Sequence, residues 1–224
     1  VIGFILPPEA RWSEMSGDFV GGGPAGDGLF PEEEWHIRNA VDPRRREFTT
    51  ARICARRALH RLGVTPGPLL PDAHGAPRWP RGVTGSITHC SGYRSCAVAP
   101  LAAVASLGID AEPNQHLSPG VLAMVALPSE ARRIRELAAG TPGVCWDRLL
   151  FSAKEALYKA WYPLTGMPIS FEHAEVRLEP ERGTFRVRML VAAPEGRRVP
   201  PIRGRFLLVD GLLLTTAVCR AGSG

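Results

Sequence analysis

Residues 146 to 161 read WDRLLFSAKEALYKAW, and this stretch decides the fold because an apolar repeat and a compact set of charges share one segment. At about 100° per residue, Trp146, Leu149, Leu150, Ala153, Leu157, Ala160 and Trp161 fall on one arc of a helix. Lys154, Glu155, Tyr158 and Lys159 fall on the opposite arc. One face packs, and the other is free for chemistry. Glu155 and Lys159 are spaced i,i+4, which taken alone reads as a surface ion pair contributing about 0.2 to 0.5 kcal/mol. Yet only two of the chain's 27 lysine and arginine residues are lysines, and both lie here. Arginine keeps its proton in a protein, whereas lysine is a compact charge with a tunable pKa. The pair therefore points to a site that needs an ammonium.

Upstream, GSITH (85 to 89) and SCAVAP (95 to 100) read as strands joined by the CSGYR turn, and ASLGIDAEP (105 to 113) reads as a third. Strand side chains alternate in direction, so Asp110 and Glu112 leave the same face with Ala111 between them. Two neighbouring carboxylates repel unless something positive stands between them. A hard cation such as Mg²⁺, which prefers oxygen ligands, satisfies that arrangement; two solvated acids at an exposed strand end are the plainer reading.

Further back, Asp42 suits a helix N-cap with Pro43 following it, and Gly63 suits the stop. Phe48, Ala51, Ala55, Leu59 and Leu62 form the core stripe between them. Arg45, Arg52 and Arg56 line up beside that stripe, with Arg44 in the first turn. They read either as a solvated face or as a clamp for phosphate oxygens, which accept arginine's forked donors. Before this helix the amino terminus VIGFILPPEARW is expected to open with a strand, SGDFVGGGPAGDG (16 to 28) to be a loop, and PEEEWHIRNAV (31 to 41) to be a short helix. The proline-rich stretch 63 to 82, with five prolines, should be extended, and 118 to 138 helical.

Downstream of the central stretch, YPLTGMP (162 to 168) should end its helix. HAEVRLEP, TFRVRMLV, IRGRFLLV and LLLTTAVCR then read as strands, the last two joined by Asp210-Gly211, a strong hairpin signal. Helices and antiparallel strands in each half of the chain make the fold class α+β.

A formal charge of +5 and a pI near 9.3 favour an anionic partner. The weakly polar run 97 to 109 contains Pro100 and falls short of the ~20 residues a membrane helix needs. The first residues lack the pattern of a secretory signal. Five dispersed cysteines without a CxxC pair read as reduced thiols in a cytoplasmic protein.

GSITHCSGY, LGIDAEP and FSAKEALYKAW, in this order and at these separations, together resemble the 4′-phosphopantetheinyl transferases of the surfactin and enterobactin type, above all their actinobacterial members. The resemblance reaches back through RRREFTTARICARRAL and covers roughly residues 40 to 170. It implies two pseudo-symmetric α/β halves, residues 1–104 and 105–224, each an antiparallel sheet packed with helices, with coenzyme A in the cleft between them. Residue by residue, it implies Asp110, Glu112 and Glu155 as Mg²⁺ ligands, with Mn²⁺ as a substitute and the Ala111 main chain beside them. Lys159 matches the lysine on the pyrophosphate. Arg44, Arg52, Thr88 and His89 match positions at the nucleotide end, His89 near the 3′-phosphate. Where the family often carries a basic residue, PDAHGAP (71 to 77) offers Pro71 and His74, so either His74 or Arg78 takes that part.

The implied reaction is transfer of the 4′-phosphopantetheine arm to a serine of an acyl or peptidyl carrier protein. Glu155 is expected to act as base, directly or through a metal-bound water, with Lys154 stabilising the transition state or protonating the leaving 3′,5′-ADP. Carriers of this class are acidic helical bundles, and residues 162 to 171 are expected to be the docking edge, with Tyr162, Leu164 and Met167 as anchors unless the last two are core. A monomer is expected. Two rival readings are a Mg²⁺-dependent pyrophosphate hydrolase and a nucleic-acid-binding module. The first lacks a longer Glu-rich helix signature, and the second lacks aromatics between its basic residues for base stacking.

Overall fold

Two antiparallel sheets, each covered by one twenty-residue helix, make up the chain. The computed structural model describes residues 1–19, 28–195 and 199–222. In the first half, β1 (Arg11–Ser16), α1 (Pro31–His36), α2 (Asp42–Arg61), β2 (Val83–Cys90) and β3 (Tyr93–Pro100) follow one another. The second half runs β4 (Val104–Pro113), α3 (Val121–Val125), α4 (Pro128–Gly140), α5 (Trp146–Thr165), β5 (Ala174–Glu179), β6 (Thr184–Met189), β7 (Ile202–Val209) and β8 (Leu212–Arg220). Strand order is β1-β3-β2 in one sheet and β4-β8-β7-β6-β5 in the other. The expected α+β architecture is therefore present, with α2 lying on the first sheet and α5 on the second.

Each helix buries its stripe as the periodicity predicts. Cys54, Ala55, Ala58 and Leu59 of α2 meet Val83, Cys96 and Val98, while Leu149, Leu150, Ala153 and Leu157 of α5 meet the core of the larger sheet. A third core group joins the halves, because Ile2, Ile5, Tyr93 and Ala97 pack with Leu107, Ile109 and Leu214. The halves share apolar burial.

Main-chain donors of β4 also reach across. The N–H groups of Ile109 and Ala111 donate to Ser86 Oγ at 3.1 Å and Thr88 Oγ1 at 3.0 Å. Side-chain hydroxyls at alternate positions of β2 thus do what a neighbouring strand's carbonyls would do. On its other side β4 carries α5 at very close range. A Cβ at Gly108 would stand 1.9 Å from the carbonyl oxygen of Ala156. Only a residue without a side chain lets the helix seat there.

Several boundaries differ from expectation. The amino terminus forms a 3-10 turn, Ile2–Ile5, before β1, because Ile2 and Ile5 both turn into the shared core. The first helix stops at His36 rather than running to 41. Val41, not Asp42, is the N-cap of α2. The expected helix over 118 to 138 breaks at residues 126 and 127, since Leu127 precedes Pro128 and is held extended. Conversely α5 continues through Pro163 to Thr165 and ends at Gly166 in the left-handed conformation. Most of the glycine-rich loop lies outside the described residues.

Candidate functional site

The centre of the site is the face of α5 that carries Arg148, Ser152, Glu155 and Lys159, spaced four, three and four residues apart and so stacked along one side of the helix. This face meets the end of β4. Lys159 Nζ donates to Asp110 Oδ1 at 2.7 Å and to the Ile109 carbonyl at 3.1 Å. Ser152 Oγ donates to Asp110 Oδ2 at 2.8 Å, and Thr88 Oγ1 lies 3.3 Å from Oδ1. Asp110 is buried among these donors. Glu112 accepts from Arg148 Nη1 at 3.1 Å, and that guanidinium is itself anchored on the carbonyls of Gln115 and His116.

Glu155 lies beside this group and faces the cleft. Its carboxyl is pushed above the usual range by burial, Asp110 adding to the effect and Lys159 opposing it. Glu112 is also raised, first by burial and then by Asp110, with Arg148 pulling the other way. Negative charge is therefore crowded here, and every donor atom the acids offer is a hard oxygen. Mg²⁺ keeps several waters and takes one or two carboxylates together with substrate phosphates, so this donor set fits it. Among the described residues no group of three or more His, Cys, Asp or Glu side chains is arranged to hold a metal by itself. Lys159 and Arg148 supply the positive partners of Asp110 and Glu112 instead.

A cleft of about 460 Å³ opens from this group towards the first half. Glu155, Tyr158, Lys159 and Tyr162 of α5 line one wall; Arg44 and Arg52 of α2, His89 of β2 and His74 belong to the other. The nucleotide-end candidates thus come together with the acidic group, except that Thr88 sits beneath the surface at the β2–β4 junction. His89 stands 3.4 Å from an Arg44 nitrogen and 3.9 Å from Glu47. Burial lowers its pKa, while Glu47 opposes the shift.

The arginine helix divides between the two readings left open for it. Arg56 is buried against Glu33 at 3.0 Å and also donates to the Gly28 carbonyl, and Arg45 donates to the Ile37 carbonyl. Those two brace the fold. Arg52 does both: Nε donates to the Leu69 carbonyl at 2.8 Å while the side chain lines the cleft. Burial lowers its pKa to about 10, still high enough to keep it charged at neutral pH.

Lys154 requires a correction. It is one residue from Glu155, and so about 100° round the helix, which carries it off the cleft face into the interior. Nζ donates to Glu130 Oε2 at 2.7 Å and to the carbonyls of Val125 and Phe171 at 2.9 and 2.8 Å. With all three protons engaged it has none for a leaving group. The expected docking anchors shift too. Tyr162 donates to Asp72 Oδ2 at 2.9 Å across the cleft mouth, and Leu164 and Met167 pack on the core.

Ser152, Arg148 and Asp72 escaped the sequence reading. The first two were legible as members of the Glu155 and Lys159 face. Asp72 was not, because its partner Tyr162 is ninety positions away.

Fold and cleft define a class: a two-half α+β protein with an open cleft between an arginine-bearing helix and the helix that meets a strand carrying two carboxylates. The family described as the 4′-phosphopantetheinyl transferase N-terminal domain matches residues 32–99, and the 4′-phosphopantetheinyl transferase superfamily matches residues 106–196. The chain belongs to the 4′-phosphopantetheinyl transferase superfamily. It is 56% identical over 198 residues to the 4′-phosphopantetheinyl transferase Svp of Streptomyces mobaraensis, covering 88% of this chain and 80% of that protein. It is 45% identical to PptT of Mycobacterium tuberculosis, covering 87% of this chain and 88% of that protein. Identity to Npt of Nocardia iowensis is 45%, over 83% of this chain and 86% of that protein.

Proposed function

We propose that this enzyme transfers the 4′-phosphopantetheine arm of coenzyme A to a serine of an acyl or peptidyl carrier protein and releases adenosine 3′,5′-bisphosphate. The observation that carries the reading is Lys159 lying between Asp110 and the open cleft, with Glu155 four residues before it on the same helical face. Family membership supports transfer over the hydrolase and nucleic-acid readings.

In the reaction the serine oxygen forms a bond to the phosphorus on the pantetheine side, and the bond from that phosphorus to the oxygen bridging towards the adenosine breaks. Such transfers depend on holding the anion in line and neutralising its charge. Arg44, Arg52 and His89, which line the cleft, would hold the nucleotide end, and Lys159 the pyrophosphate. Glu155, which faces the cleft, would take the serine proton, a role typically contributing about 10²- to 10⁴-fold. Mg²⁺, held by Asp110, Glu112 and Glu155, would neutralise charge on the pyrophosphate oxygens. A second pocket of about 290 Å³ shares Glu155 and Tyr158 with the cleft, and its apolar residues Leu157, Ile169 and Phe171 suit the pantetheine arm. The carrier would dock at the rim 162 to 171 bounding that pocket, and the chain would act as a monomer. The two functional halves divide at the β3–β4 connection. No helix among the described residues is long and apolar enough to cross a membrane. All five cysteines are free, which suits a reducing cytoplasm.

The test is the intact mass of an apo carrier protein incubated with the enzyme, coenzyme A and Mg²⁺, with chelator in a parallel reaction. A gain of one phosphopantetheine arm that needs the metal supports the reading. No gain across fatty-acid, polyketide and peptide carriers would overturn it.

A further inference from the structure

Lys154 is only 3% exposed, and its three acceptors belong to three separate segments. Val125 ends α3, Glu130 lies in the first turn of α4, and Phe171 begins the 3-10 turn after α5. Glu130 extends the node, since Oε1 accepts the Val176 N–H of edge strand β5 at 2.6 Å and Oε2 accepts the Leu127 N–H at 2.7 Å. A lysine suits this point because its ammonium is a compact charge with three donors that rotate, whereas arginine's donors lie in one rigid plane. In a chain so dominated by arginine, that requirement accounts for one of the two lysines.

The node stands beside the second pocket. One wall of that pocket is α5 at Lys154, Glu155, Leu157 and Tyr158, and the other is Ile169, Phe171 and Ala174. Lys154 lies in α5 and holds the Phe171 carbonyl, so it joins the two walls. The nucleotide-end candidates Arg44, Arg52 and His89 line the other cleft and make no contact with it.

We infer that Lys154 is a positioning residue which, through Glu130 and the Phe171 carbonyl, holds segment 169 to 174 against α5 and so sets the shape of the pocket that receives the pantetheine arm. This rests on the transferase reading. The consequence is selective: loss of the node spoils recognition of the arm and leaves recognition of the nucleotide end in place.

The test compares binding of coenzyme A with binding of adenosine 3′,5′-bisphosphate, by calorimetry in Mg²⁺, for the wild type and for Lys154→Met, Lys154→Arg and the double variant Lys154→Met with Glu130→Gln. Removing one member of a buried ion pair strands the other charge, so the double variant carries the test if Lys154→Met fails to fold, with circular dichroism confirming the fold. The variants should hold the bisphosphate within about twofold of wild type and bind coenzyme A about tenfold or more weakly, as small displacements in a preorganised site do. Lys154→Arg should share the selective loss. Equal weakening of both ligands, or no weakening of either, would overturn the inference. So would normal coenzyme A binding with transfer abolished, which would make Lys154 catalytic. If the wild type binds coenzyme A normally but modifies no carrier, the transferase reading falls while the binding comparison still judges Lys154.

Discussion

Thr88 Oγ1 stands 3.0 Å from the main-chain nitrogen of Ala111 and accepts its proton, so a side chain of the first half takes the place of a strand partner for the second. The same hydroxyl lies 3.3 Å from Asp110 Oδ1. Junction and acidic site therefore hang on one oxygen. Replacing Thr88 by Val keeps the shape and leaves a buried N–H unpaired, which costs about 1 to 3 kcal/mol. At this chain length each kcal/mol moves the melting temperature by about 2 to 4 °C. Thr88→Val should melt lower by several degrees and lose transfer activity, and Thr88→Ser should recover most of both; thermal melts with an activity assay decide it.

Gly108 sets how closely α5 approaches β4. A methyl group there would meet the Ala156 carbonyl at 1.9 Å and the Ala160 nitrogen at 2.8 Å. Gly108→Ala must push α5 outwards, at about 1 to 3 kcal/mol for an overpacked contact. Because Glu155 and Lys159 travel with α5, coenzyme A affinity should fall along with stability. Unchanged affinity by calorimetry would show that the helix does not need this contact.

Glu155→Gln should lower transfer by at least about 10²-fold while coenzyme A still binds. Burial raises this carboxyl in the metal-free protein, and a Mg²⁺ ion held by it would favour the ionised form, so the pH dependence of stability is read without the metal. A carboxyl whose folded pKa exceeds its unfolded one contributes stability below the unfolded value and loses it as pH rises through the folded value. Glu155→Gln should therefore raise the melting temperature at pH 7, and the gain should vanish as pH approaches 4. Melts across that range check the sign.

Tyr162→Phe removes the hydroxyl that bonds Asp72 across the mouth of the cleft. A bond of this kind contributes about 0.5 to 1.5 kcal/mol. Coenzyme A should dissociate up to about tenfold faster, a conversion of the same energy at 1.4 kcal/mol per decade, with little change in melting temperature. Stopped-flow release of a fluorescent analogue measures it; an unchanged rate would mean that the contact does not guard the ligand.

Much of the fold was legible because periodicity states which way each residue points along its own element. The apolar stripes of α2 and α5, the strand pair before Asp110 and the Asp210-Gly211 hairpin follow from that alone. Local chemistry also exposed Asp110, Glu112, Glu155 and Lys159, since each sits at a spacing that means something within its own strand or helix. Boundaries were less legible where tertiary burial intervened, as at Ile2 and Ile5, which a strand pattern would have alternated.

Glu33 shows the same limit for charge. In sequence it is one of three consecutive acids suited to a helix start, yet in the fold it is wholly buried, pairing with Arg56 and accepting the Leu69 N–H.

The sequence by itself determined the two amphipathic helices, the strands that flank them, and the acid and lysine pattern that marks the site. Only the tertiary structure decided that Lys154 faces Glu130 while its neighbour faces the cleft, that Arg56 braces and Arg52 does two jobs, and that Thr88 and Ser86 join the halves. The reason is physical: a residue's direction comes from its own backbone, but a charge or hydroxyl acts through the partner it meets, and those partners come from elements far away in the chain.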